Sequence, residues 1–389
     1  MIQNFLGVEG FYWFTGVVED RQDPMKLGRV RVRILGLHTE AKALDENSGQ
    51  GIPTDKLPWA FPMMPITSAS MNGIGQTPIG PVEGTHVVGF SRDGELFNDL
   101  VIMGTLGGVP QEASSGNIGF QDPSGTYPKS DHVGEADTNR LSRNEKISET
   151  INTIKSDGED KSIPTANGTG EWSELPTPYN GQYPFNHVHE TESGHVIERD
   201  DTSGYERLHN FHRTGTFDEV HPDGSKVQRI VKDSYEITHG DNFVHIKGRC
   251  DVTVDGDTTL FVKANQDKEV DGNVKIHIHG NVEEEIDGNL DQTVHGNVTL
   301  QVDGDVDETI GGNVTQAISG NVSSDIQGKA QLTIAGGLDV NTPITAWIGD
   351  ININGLVTVT DDVIANGISL VNHLHSGVLP GPAPTGKPI

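Results

Sequence analysis

The sequence predicts an all-β protein with a small N-terminal barrel, a linker and a long repetitive β-structure towards its C-terminal end. Glycine recurs every eight residues between Gly240 and Gly336, and a short fixed period of this kind is typical of stacked arrays. Short alternating segments separated by glycine and proline lie before position 110, as expected for a small barrel. The composition agrees, because 33% hydrophobic and 6% aromatic residues are few for a globular enzyme with a large core.

The glycine repeat consists of octads with a regular internal pattern. Glycine fills twelve of thirteen octad positions, and Ala264 takes the remaining one. A β-branched aliphatic stands two residues before most of these glycines, and another apolar residue often stands two residues after them. Even spacing places these side chains on one face of a strand. The residue after glycine is commonly Asn or Asp, which favours positive φ and a tight bend. Each octad therefore predicts a short strand and a kink.

The length of the octad predicts that three chains wind together. Eight residues bury only about two aliphatic side chains, which cannot offset the entropy of ordering a single ribbon. A single-chain β-helix needs about twenty residues per coil, whereas an octad covers only one side of a triangular cross-section. We therefore expect an intertwined trimeric β-helix, in which thirteen octads at about 4.8 Å per strand form a rod of roughly 60 Å.

The N-terminal region predicts a barrel with a balanced surface. Strands are expected to begin at Val17, to run over 29–35 and to follow at 86–90 and 100–106. Arg29, Arg31 and Arg33 alternate on one face, close to Glu19, Asp20 and Asp23. A nucleic-acid site requires a basic surface, and the net charge of the chain is −29. No nucleic-acid partner is therefore expected.

The remaining composition gives few signs of other chemistry. Cys250 is the single cysteine, which excludes a disulfide within the chain, and its place in the octad predicts a small buried side chain. The first residues show no basic segment followed by an apolar one, so neither a signal peptide nor a transmembrane helix is expected.

The residues between the barrel and the octads predict a linker and then a strand-rich segment. The linker, 111–184, is polar and holds one possible short helix over 139–155. Carboxylates are frequent in it, but a linker has no cleft in which their pKa values are set for catalysis. We therefore expect no enzyme activity.

Three long segments resemble the central spike proteins of T-even-type contractile phages, a family related to type VI secretion spikes. FTGVVEDRQDPMKLGRVRVRILGLH, GIPTDKLPWAFPMMPITSASMNGIG and GPVEGTHVVGF are similar to the OB-fold domain of that family. The segment 183–224 and the octads resemble its C-terminal β-structure and triple-stranded β-helix. The family also carries a lysozyme domain between these parts. In this chain the corresponding segment has only about seventy residues and is polar in composition.

The C-terminal segment predicts a metal-bound tip. His373 and His375 stand in VNHLHSGVLPGPAPTGKPI, and an extended strand would project both imidazoles to one face. Three chains would supply six nitrogens, an octahedral set suited to Fe(II) or a similar divalent ion. The motif also resembles the iron-binding tip of shorter phage spikes, although Ser376 replaces the usual glycine. The resemblance implies one Fe²⁺ per trimer.

Other histidines are weaker candidates. His277 and His279 lie at outward octad positions and are expected to face solvent. Six histidines between 187 and 221 leave a zinc site conceivable, but the H-x₃₋₅-H or cysteine pattern of such sites is lacking.

These observations together predict five parts: an OB-fold at 1–110, a linker at 111–184, a strand-rich segment at 185–239, a triple-stranded β-helix at 240–340 and a tip at 341–389. The resemblance implies a structural virion protein of the tail baseplate, assembled in the host cytoplasm. It would bind a trimeric hub protein through the OB-fold and pierce the host outer membrane. The alternatives are a type VI secretion-like spike, a receptor-binding protein and a tailspike depolymerase.

Overall fold

The computed structural model describes residues 12–109, 135–145, 151–168 and 170–374. The chain divides into two compact units at the boundary between Glu284 and Glu285. Among the described residues, no helix is both long and apolar enough to span a bilayer. The fold is mostly β, as predicted.

The first element is a closed five-stranded barrel in the order β1-β2-β3-β5-β4. Its strands are β1 (Tyr12–Asp20), β2 (Val30–Ile34), β3 (Trp59–Pro62), β4 (His86–Ser91) and β5 (Leu100–Leu106). Every neighbouring pair is antiparallel except β3 and β5, which run parallel. Short 3-10 helices, Thr54–Lys56 and Gly94–Leu96, lie in the connections. The predicted OB-like barrel is confirmed.

The barrel interior follows from the alternation of its strands. One apolar core fills the barrel, and its buried side chains include Phe14, Val18, Val32, Val87 and Leu100. Successive residues of a strand point to opposite faces, so only one set of them faces this core.

The three alternating arginines of this region are all paired with carboxylates. Arg33 Nε lies 2.5 Å from Glu19 Oε1 in a fully buried pair. Arg29 Nη2 lies 2.6 Å from Asp23 Oδ1, and Arg31 Nε lies 3.4 Å from Asp20 Oδ2. Their charges are therefore balanced locally.

The second element is an antiparallel five-stranded sheet with strands in sequence order. Its strands are β8 (Asn186–Glu190), β9 (Val196–Asp200), β10 (Arg207–Phe211), β11 (Phe217–Val220) and β12 (Lys226–Arg229). One face is buried, with Val196, Phe211, Phe217 and Val227 in its core. Before this sheet stand helix α1 (Ile151–Asp157), the two-residue strands β6 (Ile163–Pro164) and β7 (Glu171–Trp172), and a 3-10 turn at 166–168.

Part of the predicted linker packs on this sheet. Leu141 and Ile151 belong to the core of the sheet. The carbonyl of Leu141 accepts hydrogen bonds from Tyr179 Oη at 2.5 Å and from Asn186 Nδ2 at 3.2 Å. Residues 135–180 thus contain a docked segment, which the polar composition did not reveal.

The predicted helix over 139–155 is only partly right. Residues 140–144 form a turn, α1 covers Ile151–Asp157, and the predicted helical residues 146–150 lie outside the described ones. Asn144 has φ +55°, which is incompatible with a right-handed helix. The contacts of Leu141 with the sheet are the tertiary reason, because they hold its carbonyl in a turn.

The octad region, residues 240–340, forms no strand within a single chain. The chain bends at residue pairs eight positions apart, from 239–240 to 335–336, and the series includes 263–264, where alanine replaces glycine. The predicted kink is therefore present. The predicted positive φ is wrong, because none of the octad glycines is among the residues with positive φ. The triple-stranded β-helix stays a prediction.

Beyond the octads, the described chain ends with a small hairpin of β13 (Ile364–Ala365) and β14 (Ile368–Ser369). Asn366 and Gly367 form its two-residue turn, with φ of +50° and +77°. This hairpin immediately precedes His373.

Candidate functional site: the octad region, the tip and the docked sheet

The octad region exposes two regular rows of aliphatic side chains. The row two residues before each glycine is 43–56% exposed. It comprises Ile246, Val254, Val270, Ile278, Ile286, Val294, Val302, Ile310, Ile318, Ile326 and Ile334. A second row, two residues after eight of the twelve octad glycines, is 55–75% exposed. It comprises Val274, Val282, Leu290, Val298, Val306, Val314, Val322 and Leu338. Soluble monomers seldom expose contiguous apolar surfaces of this extent.

The backbone of the region is equally unpartnered. Within residues 232–362, all of which the structure describes, the chain makes no strand and no backbone–backbone hydrogen bond with itself. Extended backbone carries one donor and one acceptor per residue, and burying these groups requires partners. The octad region therefore has both apolar side chains and backbone groups available for another chain.

Single residues of the octads lie as follows. His277 and His279 are exposed, as predicted, with ring centroids 4.4 Å apart. Cys250 is exposed in the single chain, unlike the predicted buried side chain, because nothing covers the inward positions.

The tip is only partly within the described residues. The His373 ring lies with Nδ1 2.8 Å from the carbonyl oxygen of Ser369, and its backbone N–H also donates to that carbonyl at 3.1 Å. A contact between a ring nitrogen and a carbonyl orients the imidazole, as in many metal-binding histidines. The role of His373 as a metal ligand stays a prediction. His375 lies outside the described residues.

A buried ionic network joins the docked segment to the five-stranded sheet. Lys155 Nζ of α1 lies 2.6 Å from Glu219 Oε2 on β11. Arg207 on β10 bridges to Glu219 at 2.7 Å and to Glu198 on β9 at 2.8 Å. Glu198 also contacts His209 Nδ1 at 2.7 Å. All five side chains are at most 3% exposed.

Charge pairing and burial shift the pKa values of this network in opposite directions. Burial on its own raises the pKa of Glu219, but the neighbouring Lys155 and Arg207 outweigh it and lower that pKa to about 2. Burial lowers the pKa of Lys155 to about 8, although Glu219 opposes the effect. Burial likewise lowers the pKa of His209, and the hydrogen bond between its ring and the accepting carboxylate of Glu198 opposes this effect.

The network is suited to holding elements together, because no substrate can reach side chains with so little exposure. Glu219 and Arg207 link neighbouring strands, and Lys155 fixes α1 on the sheet. Sequence reasoning missed it, because the buried positions of VIERD (196–200) and RLHNF (207–211) hold charged residues and a histidine beside apolar ones, so they do not show the apolar alternation of an ordinary strand. Among the described residues, no three side chains are placed to bind a metal ion together.

The chain combines a barrel domain with a long octad repeat whose aliphatic rows are exposed. Comparison with known proteins is more specific. Residues 36–180 match the Gp5 N-terminal OB domain, and residues 288–311 match the Gp5 C-terminal repeat, which occurs in three copies.

Two relatives carry the same name. The chain is 48% identical to Protein Gp5 of Vibrio phage KVP40 over 279 residues, 65% of either protein. It is 50% identical to the pre-baseplate central spike protein Gp5 of Enterobacteria phage T4 over 135 residues, 35% of this chain and 22% of that protein. The chain thus spans less than two thirds of either relative. The resemblance to T-even-type central spike proteins is confirmed.

Proposed function

We propose that this chain is the structural central spike of a contractile-tail baseplate, a trimer in the virion that pierces the host outer membrane. The single observation that carries the proposal is the pair of exposed aliphatic rows in a region without backbone partners. The names of the Gp5 relatives support the baseplate assignment.

The amount of exposed surface supports assembly with further copies. The chain has an accessible surface of 32726 Å², whereas a globular monomer of 41.9 kDa would have roughly 15,000 Å². Three interleaved chains would cover the aliphatic rows and pair the strand edges. The resulting rod transmits axial force when the tail contracts.

The barrel attaches this rod to a trimeric hub protein. The match to the Gp5 OB domain supports this role. The connection after β3 also exposes Ile66, Met71, Ile74 and Ile79, and apolar side chains on a loop are suited to docking against a protein surface.

His373 and His375 bind one Fe²⁺ per trimer at the tip. Six imidazole nitrogens match the octahedral preference of this ion, and the orienting contact of His373 supports its role. Metal binding stabilises the folded end of the rod, because the ligands of three chains come together only there. The sharp end thereby resists splaying on impact.

The chain acts mechanically and does not cleave peptidoglycan. Its buried carboxylates, Glu198 and Glu219, are closed to substrate, whereas glycoside hydrolysis requires two carboxylates in an open cleft. Turnover of purified peptidoglycan by the isolated protein, lost on substitution of a carboxylate, would contradict this part of the proposal.

Native mass spectrometry with elemental analysis tests the assembly and the tip together. We expect a mass of three chains and one iron per trimer, and a His373→Ala/His375→Ala variant that stays trimeric without iron. A monomer would contradict the spike. A wild-type trimer without iron would contradict only the proposed iron binding at the tip.

The alternatives differ in measurable ways. A depolymerase would release oligosaccharides from capsular polysaccharide, and a receptor-binding protein would bind intact host cells with saturable affinity. A type VI secretion-like spike would be encoded beside secretion genes instead of tail genes. We expect none of these three results.

A further inference from the structure

The residues at the bends of the octad region alternate in charge. The corner residues stand directly before the octad positions 248 to 304, at the first residue of each bend. They are Lys247, Asp255, Lys263, Asp271, His279, Asp287, His295 and Asp303. Basic and acidic side chains follow each other without interruption over eight octads, and all are exposed in the single chain.

Chance is a poor explanation for this order. Between Gly240 and Gly336, seventeen residues are acidic and six are Lys or Arg, so random placement would often put acidic residues at the same position of successive octads. Between 247 and 303, every second corner residue is Asp and each of the others is Lys or His. Three residues before the octad glycines, the same alternation of acidic and basic residues covers three octads, because His277 stands between Glu269 and Glu285 at eight-residue spacing.

The spacing of eight has a direct meaning in the proposed trimer. If each octad covers one side of a triangle, the next octad of the same chain covers the next side, one level higher. The strand that stacks on a given octad therefore comes from another chain and is that chain's following octad. Stacked strands lie about 4.8 Å apart, so Lys263 of one chain adjoins Asp255 and Asp271 of its two neighbours.

We propose that the corner residues form interchain charge ladders along the three edges of the trimer and select the register of its chains. The partner surface is a second copy of this chain, and the inference rests on the proposed trimer. Opposite charges in cross-strand contact stabilise a sheet, and like charges destabilise it.

Register selection is needed because the apolar pattern supplies little of it. From Gly272 to Gly320, glycine and both aliphatic rows repeat in every octad, so this part of a chain that slips by one octad still buries nearly all of its aliphatic side chains. Repetitive strands of this kind are prone to slippage. The charge pattern repeats only every two octads. A slip of one octad therefore places Lys263 beside Lys247 or another basic residue, and acidic residues beside acidic ones.

The test exchanges two corner charges without changing composition. In full-length Asp255→Lys/Lys263→Asp, two of the three contacts between positions 247 and 271 become like-charged, and the net charge is unchanged. We expect the midpoint of thermal unfolding to fall by roughly 5 °C or more at low salt, and the loss to shrink at high salt because screening weakens exposed charge pairs.

A matched variant restores the alternation. Adding Lys247→Asp and Asp271→Lys to the exchange reverses all four signs, so the contacts between 247 and 271 are again opposite. We expect this variant to recover most of the decrease in the unfolding midpoint. Failure of this rescue would overturn the proposal.

Spin labels report the register itself. A nitroxide on Ser323→Cys, in a Cys250→Ala background, gives one interchain distance in an in-register trimer. We expect one narrow distance for the wild-type pattern and a broadened or multiple one for the exchange variant. A trimeric exchange variant with unchanged midpoint and distance would overturn the ladder and leave the spike intact. A monomeric wild type would overturn both.

Discussion

The buried side chains of the sheet show how charge can replace apolar packing at single positions. The buried face of the sheet holds Glu198, Arg207 and Glu219 beside the apolar Val196 and Phe217. Their charges are compensated pair by pair, which is the condition under which buried ions are tolerated. Loss of one member leaves an unpaired buried charge, so the network is sensitive to substitution and to pH.

Acid should weaken the sheet through Glu219. Its pKa falls from 4.5 to about 2 in the folded chain, so its contribution of about 3 kcal/mol is present above pH 4.5 and is lost as pH falls towards 2. We expect Glu219→Gln to destabilise the sheet at pH 7 and to flatten the acid dependence of unfolding followed by tryptophan fluorescence. The exposed Glu206→Gln is the control, and an equal effect of both variants would refute the role of the network.

One glycine in the barrel is required by its surroundings. Gly28 has φ +77°, and an added Cβ would collide with the carbonyl of Pro78. Gly36 has φ +79° with open space around it. We expect Gly28→Ala to cost about 3 kcal/mol or more in unfolding free energy by urea titration, against about 1–2 kcal/mol for Gly36→Ala. Equal losses would mean that the collision is relieved by movement of the Pro78 loop.

At the scale of elements, the docked sheet and the octad region solve burial in opposite ways. The sheet covers its inward face with its own chain, since Leu141 and Ile151 complete its core. The octads have no such covering segment, because each is only eight residues long and its aliphatic rows stay exposed. In the proposed trimer, their stability would come from the stacking of units, as in repeat proteins generally.

A whole-octad deletion tests this modular construction. Removing residues 313–320 keeps every remaining glycine and aliphatic in phase, so we expect a trimer with nearly unchanged thermal stability. Removing only 313–316 shifts the following glycines by half a repeat and should lower the unfolding midpoint or the trimer yield, measured by light scattering during heating. Equal tolerance of both deletions would argue against the octad as the structural unit.

At the scale of the whole molecule, the proposed trimer would couple folding to assembly. The accessible surface of 32726 Å² is more than a folded monomer of this mass leaves exposed. Stability that comes from association depends on concentration by mass action. The barrel and the docked sheet have cores of their own and can fold before the octads associate.

This coupling predicts two phases of refolding. After dilution from denaturant, we expect a fast phase independent of protein concentration, from the barrel and sheet, and a slower phase whose rate rises with concentration. Circular dichroism at several concentrations separates them. If every phase were independent of concentration, the octads would fold within one chain, contrary to the proposed trimer.

The sequence by itself determined the parts that depend on local pattern. The octad period, the kinks and the strands of the barrel follow from alternation and from the places of Gly, Asn and Pro, which act within a few residues. The sign of φ at the octad glycines was mispredicted, because the bends form with negative φ. His373 and His375 were chosen by spacing and resemblance, and their metal stays a prediction.

Only the tertiary structure decided which distant side chains meet. Lys155 and Glu219 are 64 positions apart, and no periodicity relates α1 to β11. The turn at Leu141 likewise depends on Tyr179 and Asn186, which lie far along the chain. Local pattern determines the backbone because its forces act between near neighbours, whereas a buried ionic network requires charges that compensate one another in space.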